Sequence, residues 1–242
     1  MTDECEQLIE SESKVNDGKV VEVKEDFRDD VAVLRALAIL AVLAFHLWPA
    51  TFQYGYLGVD VFFVISGFLM MRILTRSKEG PILLFLKFYR RRVRRIVPLY
   101  YFVMFLTGLT LVCLYTHVYK KRYFPYYTGA LLFATNFKVQ PAGGYFEKKT
   151  TNIPFLHTWS LGVEMQFYVV APFFLYLSKL CTAIKPFYLL WPACLLFSLY
   201  YQVTAEPKDS FYHPMARLWQ FLCGMLAIVF LEKLKGKSIG EN

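Results

Sequence analysis

A chain of 242 residues that is 56% hydrophobic and 18% aromatic, with a mean hydropathy of +0.37, is too apolar for an ordinary soluble domain. Its net charge of +8 is unevenly spread: residues 1–30 hold 11 of the 19 acidic side chains and 4 of the 27 basic ones, so the remainder carries 23 basic against 8 acidic. An acidic head on a basic, apolar body excludes a soluble enzyme, and nucleic acid is a poor partner for cations that abut membrane-length apolar runs.

In chain order, the acidic head (1–28) comes first. It has no apolar h-region, so no cleavable signal peptide is expected; it reads as disordered and cytoplasmic, with the first span acting as a signal anchor. Apolar runs follow at 31–48, 56–74, 96–116, 164–181, 186–203 and 213–231, with a shorter one at 124–137. Their lengths suit helices, no strand alternation is sustained and no fixed repeat is present. Backbone polar groups in lipid must be satisfied within the segment. The expected fold is therefore all-α, a polytopic transmembrane bundle of six or seven spans over 29–232, followed by a short basic tail (233–242).

Lys87-Phe88-Tyr89-Arg90-Arg91-Arg92-Val93-Arg94-Arg95 sets orientation, because such a run resists translocation. The first span then runs outward and the second returns. If 124–137 crosses, the tail falls outside; if it is re-entrant or interfacial, the tail falls inside with Lys179 and Lys185. Its 14-residue length and Asn136 favour the second arrangement. The five cysteines form no C-x-x-C or Cys/His cluster, so neither a disulfide framework nor a metal site is expected.

Several groups carry candidate chemistry. Arg35 and His46 stand eleven residues apart in an apolar run. That is three helical turns, so they share one face at depths about 16 Å apart. Ionisable groups at such depth are costly and mark functional sites, although an Arg snorkelling to one interface and a His at the other accounts for the same pattern. In the next arm, Asp60 lies as far beyond the turn as His46 lies before it. Antiparallel helices bring both to similar depth, where a carboxylate orients an imidazole base. Gly58 and Gly67 suit close helix approach. Arg92 and Arg95 share a helix face and suit phosphate recognition through paired hydrogen bonds; a topology signal or anionic-lipid contact is the alternative. In His157-Thr158-Trp159-Ser160-Leu161-Gly162-Val163-Glu164, helical geometry places His157, Ser160 and Glu164 on one face. Ser and His three residues apart make a poor nucleophile–base pair, and capping of the following span explains the segment equally well.

Four segments together resemble membrane acyltransferase family 3. They are R-A-L-A-I-L-A-V-L-A-F-H (35–46), G-V-D-V-F-F-V-I-S-G-F-L (58–69), F-Y-R-R-R-V-R-R-I-V-P-L-Y (88–100) and H-T-W-S-L-G-V-E-M-Q-F-Y (157–168). They occur in family order, and the flavour resembles the animal branch expanded in nematodes, with relatives of the nose-resistant-to-fluoxetine proteins. The resemblance implies transfer of an acyl group, typically acetyl, from acyl-CoA to a hydroxyl of a carbohydrate or lipid-linked acceptor. By motif position it places the family's intramembrane Arg and His on Arg35 and His46, its donor-associated R-x-x-R on Arg92 and Arg95, and its Glu on Glu164. Met165 stands where common members carry a second Glu. The expected mechanism has His46 as base or acyl shuttle, Asp60 as its orienting group, and Arg35 supporting the donor thioester or its oxyanion. The resemblance covers about 29–232, the N-terminal two-thirds of the usual membrane unit. A non-catalytic truncated paralogue, regulatory or lipid-transporting, is the rival expectation. The motifs do not encode the acceptor, the organelle or the oligomeric state.

Overall fold

Apolar length decides the architecture. The computed structural model describes residues 14–16, 19–21, 29–76, 81–114, 116–138, 155–180 and 190–239. Four stretches among them are helical, long and apolar enough to cross a membrane: Asp29–Leu47, Gly55–Ile73, Phe85–Leu114 and Pro207–Leu231. The chain is an all-α integral-membrane protein.

The helices are α1 (Asp29–Leu47), α2 (Gly58–Arg76), α3 (Pro81–Leu114), α4 (His117–Leu131), α5 (Thr135–Lys138), α6 (Trp159–Leu180), α7 (Leu190–Thr204), α8 (Pro207–Tyr212) and α9 (Pro214–Ile239). Single 3-10 turns, Gly55–Leu57 and Leu156–Thr158, lead into α2 and α6. In the head, strands β1 (Lys14–Asn16) and β2 (Lys19–Val21) pair antiparallel over three residues each. The rest of the 1–28 head lies outside the described residues. The apolar runs at 164–181 and 186–203 fall mainly on α6 and α7, and α9 carries the first seven positions of the 233–242 tail on the same helix.

α1 opens with Asp29 and Asp30, whose charges suit the positive end of the helix dipole, and closes with His46 in its last turn. Between them Val33, Leu34, Leu37, Leu40 and Leu43 are exposed while Ala38 is buried. That pattern suits a helix whose flank faces hydrocarbon. α3 is one continuous helix of 34 residues, about 51 Å at 1.5 Å per residue. This exceeds a hydrocarbon core of about 30 Å, so its arginine-rich first half extends beyond the apolar slab on the same rod as the span.

The segment 124–137 is not one helix. α4 ends at Leu131, Phe133 takes φ 52°, and α5 begins at Thr135. A polar clamp holds this break against α6. Gln166 Nε2 donates to Phe133 O (2.8 Å) and to Asn136 Oδ1 (3.0 Å), and Asn136 Nδ2 donates back to Gln166 Oε1 (3.2 Å). Asn136, the residue that argues against a simple span, holds the Gln166 amide while that amide satisfies the Phe133 carbonyl at the break.

Two glycine contacts assemble the bundle around the site. Gly55 and Gly58 sit against the backbone of α1: a Cβ would lie 2.2 Å from Ala41 O at the first and 2.5 Å from Ala38 O at the second. α2 and α9 cross at Gly67 and Gly224, where a Cβ would lie 2.1 Å from Phe221 O and 1.9 Å from Val64 O. Phe221 stacks on Phe63 (4.8 Å between centroids) and on Phe167 (4.0 Å), tying α2, α6 and α9 into one aromatic core. Gly224→Ala forces backbone apart rather than a side-chain tip. It is expected to cost about 3 kcal/mol, the upper part of the overpacking range. The check is a fall in Tm of the detergent-purified protein; an unchanged Tm rules out the close crossing.

Candidate functional site

The expected site residues gather in two neighbourhoods, one at each end of α1. At the C-terminal end, His46 Nδ1 lies 2.7 Å from Val42 O. A carbonyl oxygen only accepts, so Nδ1 carries the proton and Nε2 is the lone-pair nitrogen of the neutral ring. The His157 ring, on the turn before α6, meets His46 edge-on with centroids 4.9 Å apart and planes at 71°. Desolvation, and secondarily the His46 imidazole, hold the His157 pKa below the ordinary histidine value.

His46 and Asp60 line one small cavity, walled also by Tyr56, Val59, Trp159 and Phe211, with room of about 10 Å³, close to that of one water-sized group. Asp60 does not orient the imidazole as expected. Its Oδ1 accepts from Arg217 Nη1 at 3.0 Å, and the His46 ring is fixed by a main-chain carbonyl. Both residues line the cavity, but the carboxylate and the imidazole have different partners. Arg217, 5% exposed, also donates from Nε to Phe211 O (2.9 Å) and lies over the rings of Phe211 and Trp159. Buried charge pairs persist when their remaining donors are satisfied in this way. Gln220, 1% exposed, lies beside Asp60 from the same helix as Arg217.

At the other end of α1, Arg35 is half-buried, and its Nε is buried without a hydrogen-bond partner. Arg92, Arg95, Tyr168 and Glu164 lie within electrostatic reach of it. Glu164 accepts hydrogen bonds from the hydroxyls of Ser66 and Tyr168 on its Oε1, joining α2 to α6. The Arg92 guanidinium lies over the Tyr168 ring (4.7 Å) and the Phe88 ring (5.6 Å). Three guanidinium groups thus converge with one carboxylate, an excess of positive charge suited to an anion. Met165 is half-buried and packs against the core.

Of the segment 157–168, the fold brings His157 to one neighbourhood and Glu164 to the other. Ser160 is half-buried in the first turn of α6, and it is His157 whose ring meets His46. Sequence reasoning missed Arg217, Ser66 and Tyr168. Arg217 carried a usable signal, a lone cation in the apolar run 213–231. Ser66 and Tyr168 carried none, because hydroxyls in apolar runs are common and their shared partner is distant in sequence for Ser66. Among the described residues Cys113, Cys194 and Cys223 are free thiols.

Comparison with known proteins identifies the family. Residues 28–239 match the family model described as "Acyltransferase domain", of the acyltransferase 3 type. The chain is 31% identical over 213 residues to "Putative peptidoglycan O-acetyltransferase YrhL" of Bacillus subtilis, covering 83% of this chain and 33% of that one. It is 32% identical over 202 residues to "Putative membrane-bound transacylase BcsY" of Komagataeibacter xylinus, covering 82% and 50%. It is 32% identical over 143 residues to the peptidoglycan O-acetyltransferase OatA of Listeria monocytogenes, covering 59% and 23%. The chain therefore spans half or less of the length of these curated relatives. No solved structure matches it. With the match running from the start of α1 to the end of α9, through both neighbourhoods, the chain belongs to the acyltransferase 3 family of membrane proteins.

Proposed function

We propose that this chain is the part of a membrane acyltransferase that moves an acyl group, acetyl in the simplest case, from acyl-CoA to a hydroxyl of a carbohydrate or lipid-linked acceptor. One observation carries the reading. A single helix bears a cluster-forming arginine near one end and, at the other, a histidine whose Nε2 is left as the basic nitrogen by the Nδ1 bond to Val42 O. Those are the two needs of acyl transfer: anion binding for the donor and a base for the acceptor.

The spacing divides the work. Arg35 and His46, about 16 Å apart along the axis, cannot both touch one reacting carbonyl. Arg35 therefore belongs with Arg92 and Arg95 at the anionic end of the donor, rather than at the oxyanion, and its unpartnered Nε suits a phosphate or carbonyl oxygen. The thioester end of the donor reaches toward His46. His46 Nε2 takes the acceptor proton as the hydroxyl oxygen attacks the acyl carbon, the carbon–sulfur bond breaks, and its electron pair leaves on sulfur. Asp60, held by Arg217, helps shape the seat for the acceptor hydroxyl beside His46. In this reading the head and the arginine-rich part of α3 are cytoplasmic, the spans number six or seven, and the family branch is the animal one suggested by the motifs.

The donor assignment is tested by changing Arg92 and Arg95 together to Lys. Charge is retained, but the planar paired grip on phosphate is lost. Acetyl-CoA binding, measured by titration calorimetry on the purified chain, should weaken about tenfold, the equivalent of one charge-assisted hydrogen bond. Equal affinity in both proteins removes the donor role and leaves these arginines to topology.

A further inference from the structure

The His46–His157 contact is a feature at the proposed base that neither the family match nor the relatives' names assign. Two imidazoles meet with centroids 4.9 Å apart. One of them, His46, has Nδ1 committed to Val42 O, so its exchangeable position is Nε2 alone. The other sits on a turn rather than inside a span, and part of its residue reaches the surface. A base that takes a proton inside a membrane protein must also lose it before the next turnover.

We propose that His157 is the relay partner of His46: His46 receives the proton from the acceptor hydroxyl and His157, whose ring meets it, passes it to water. The proposal rests on the reading of His46 as the base. No bond beyond those of the acyl transfer is made or broken; the proton moves from the acceptor oxygen to His46 Nε2, then to a His157 ring nitrogen, then to solvent. A His157 imidazole of lowered basicity suits release, because its protonated form gives up the proton readily. Among the described residues, the titratable groups that line the cavity with His46 are Tyr56 on the turn before α2 and Asp60 on α2, whose carboxylate is bonded by Arg217 on α9. Asp60 and Arg217 form an ion pair whose charges cancel. The mutual repulsion of the two imidazolium forms is therefore the unbalanced interaction at this place.

The chain has four histidines, so incorporation of isotope-labelled histidine gives four imidazole signals to follow by NMR in phospholipid nanodiscs. In the wild-type chain the His157 midpoint should be held down by the neighbouring ring. In His46→Phe and in His46→Gln the His157 midpoint should rise. At 4.9 Å the upward shift is about 0.6 pH unit even with the dielectric constant of bulk water, and larger in a drier setting. His117 and His213 should not move, which shows that the fold is intact. An unchanged His157 midpoint in both variants overturns the proposal. Because the readout is proton binding, a coupled pair in a chain that transfers no acyl group counts against the proposed function and leaves the coupling standing.

Discussion

His46→Ala is expected to lower acyl transfer by about 10²–10⁴-fold, the contribution of a positioned general base to attack by a weakly nucleophilic hydroxyl. The substitution removes a polar ring from the last turn of an apolar helix, so insertion and yield should not suffer. Its one hydrogen bond is to Val42 O, which the helix already uses, and no buried donor is orphaned by the change. Transfer of label from acetyl-CoA at saturating acceptor measures the effect, with acetyl-CoA binding as the control. Retained binding with lost transfer separates the base from the donor site, which lies about three turns away on α1. Near-normal turnover rules out His46 as the base.

Arg217→Met is expected to destabilise the protein by about 3–5 kcal/mol, the usual result of deleting one partner of a buried ion pair. The loss leaves the Asp60 carboxylate between α2 and α9 without its cation, and it also removes the hydrogen bond to Phe211 O and the contacts with two aromatic faces. Asp60→Asn should cost a similar amount, because its amide oxygen still accepts from Arg217 but the more deeply buried guanidinium loses its counter-charge. The double change Asp60→Leu with Arg217→Met should recover much of the loss, because no unpaired charge remains. Denaturation in detergent of these variants and of Asp60→Leu alone, with Asp60→Leu, Arg217→Met and their combination read as a double-mutant cycle, checks this; additive losses rule out the pair as a unit.

Membrane class and helix content were legible because each has a one-dimensional cause. Apolar length announces a span, and an ionisable residue inside one stands out, which is how Arg35 and His46 become candidates. Glu164 was legible as a motif position, but its partners were not: Ser66 is 98 residues away and reaches it only through the packing of α2 on α6. Asp60 shows the boundary most clearly. Counting from the turn gave its depth, and it does line the cavity with His46. Which group its carboxylate bonds depends on α9, which returns to α2 from 157 residues downstream. The run 124–137 was ambiguous for a similar reason. Its break at Phe133 becomes stable only when Gln166 on another helix supplies the missing donors.

The bond from His46 Nδ1 to Val42 O has one more consequence. The group that fixes the tautomer belongs to the main chain, so no replacement of a side chain can delete it, and a mutational scan for the residue that orients this histidine returns nothing. Finding it takes chemistry on the peptide link itself. An α-hydroxy acid at position 43 turns the Val42 amide into an ester, weakens that one carbonyl as an acceptor, and leaves every side chain of the site in place.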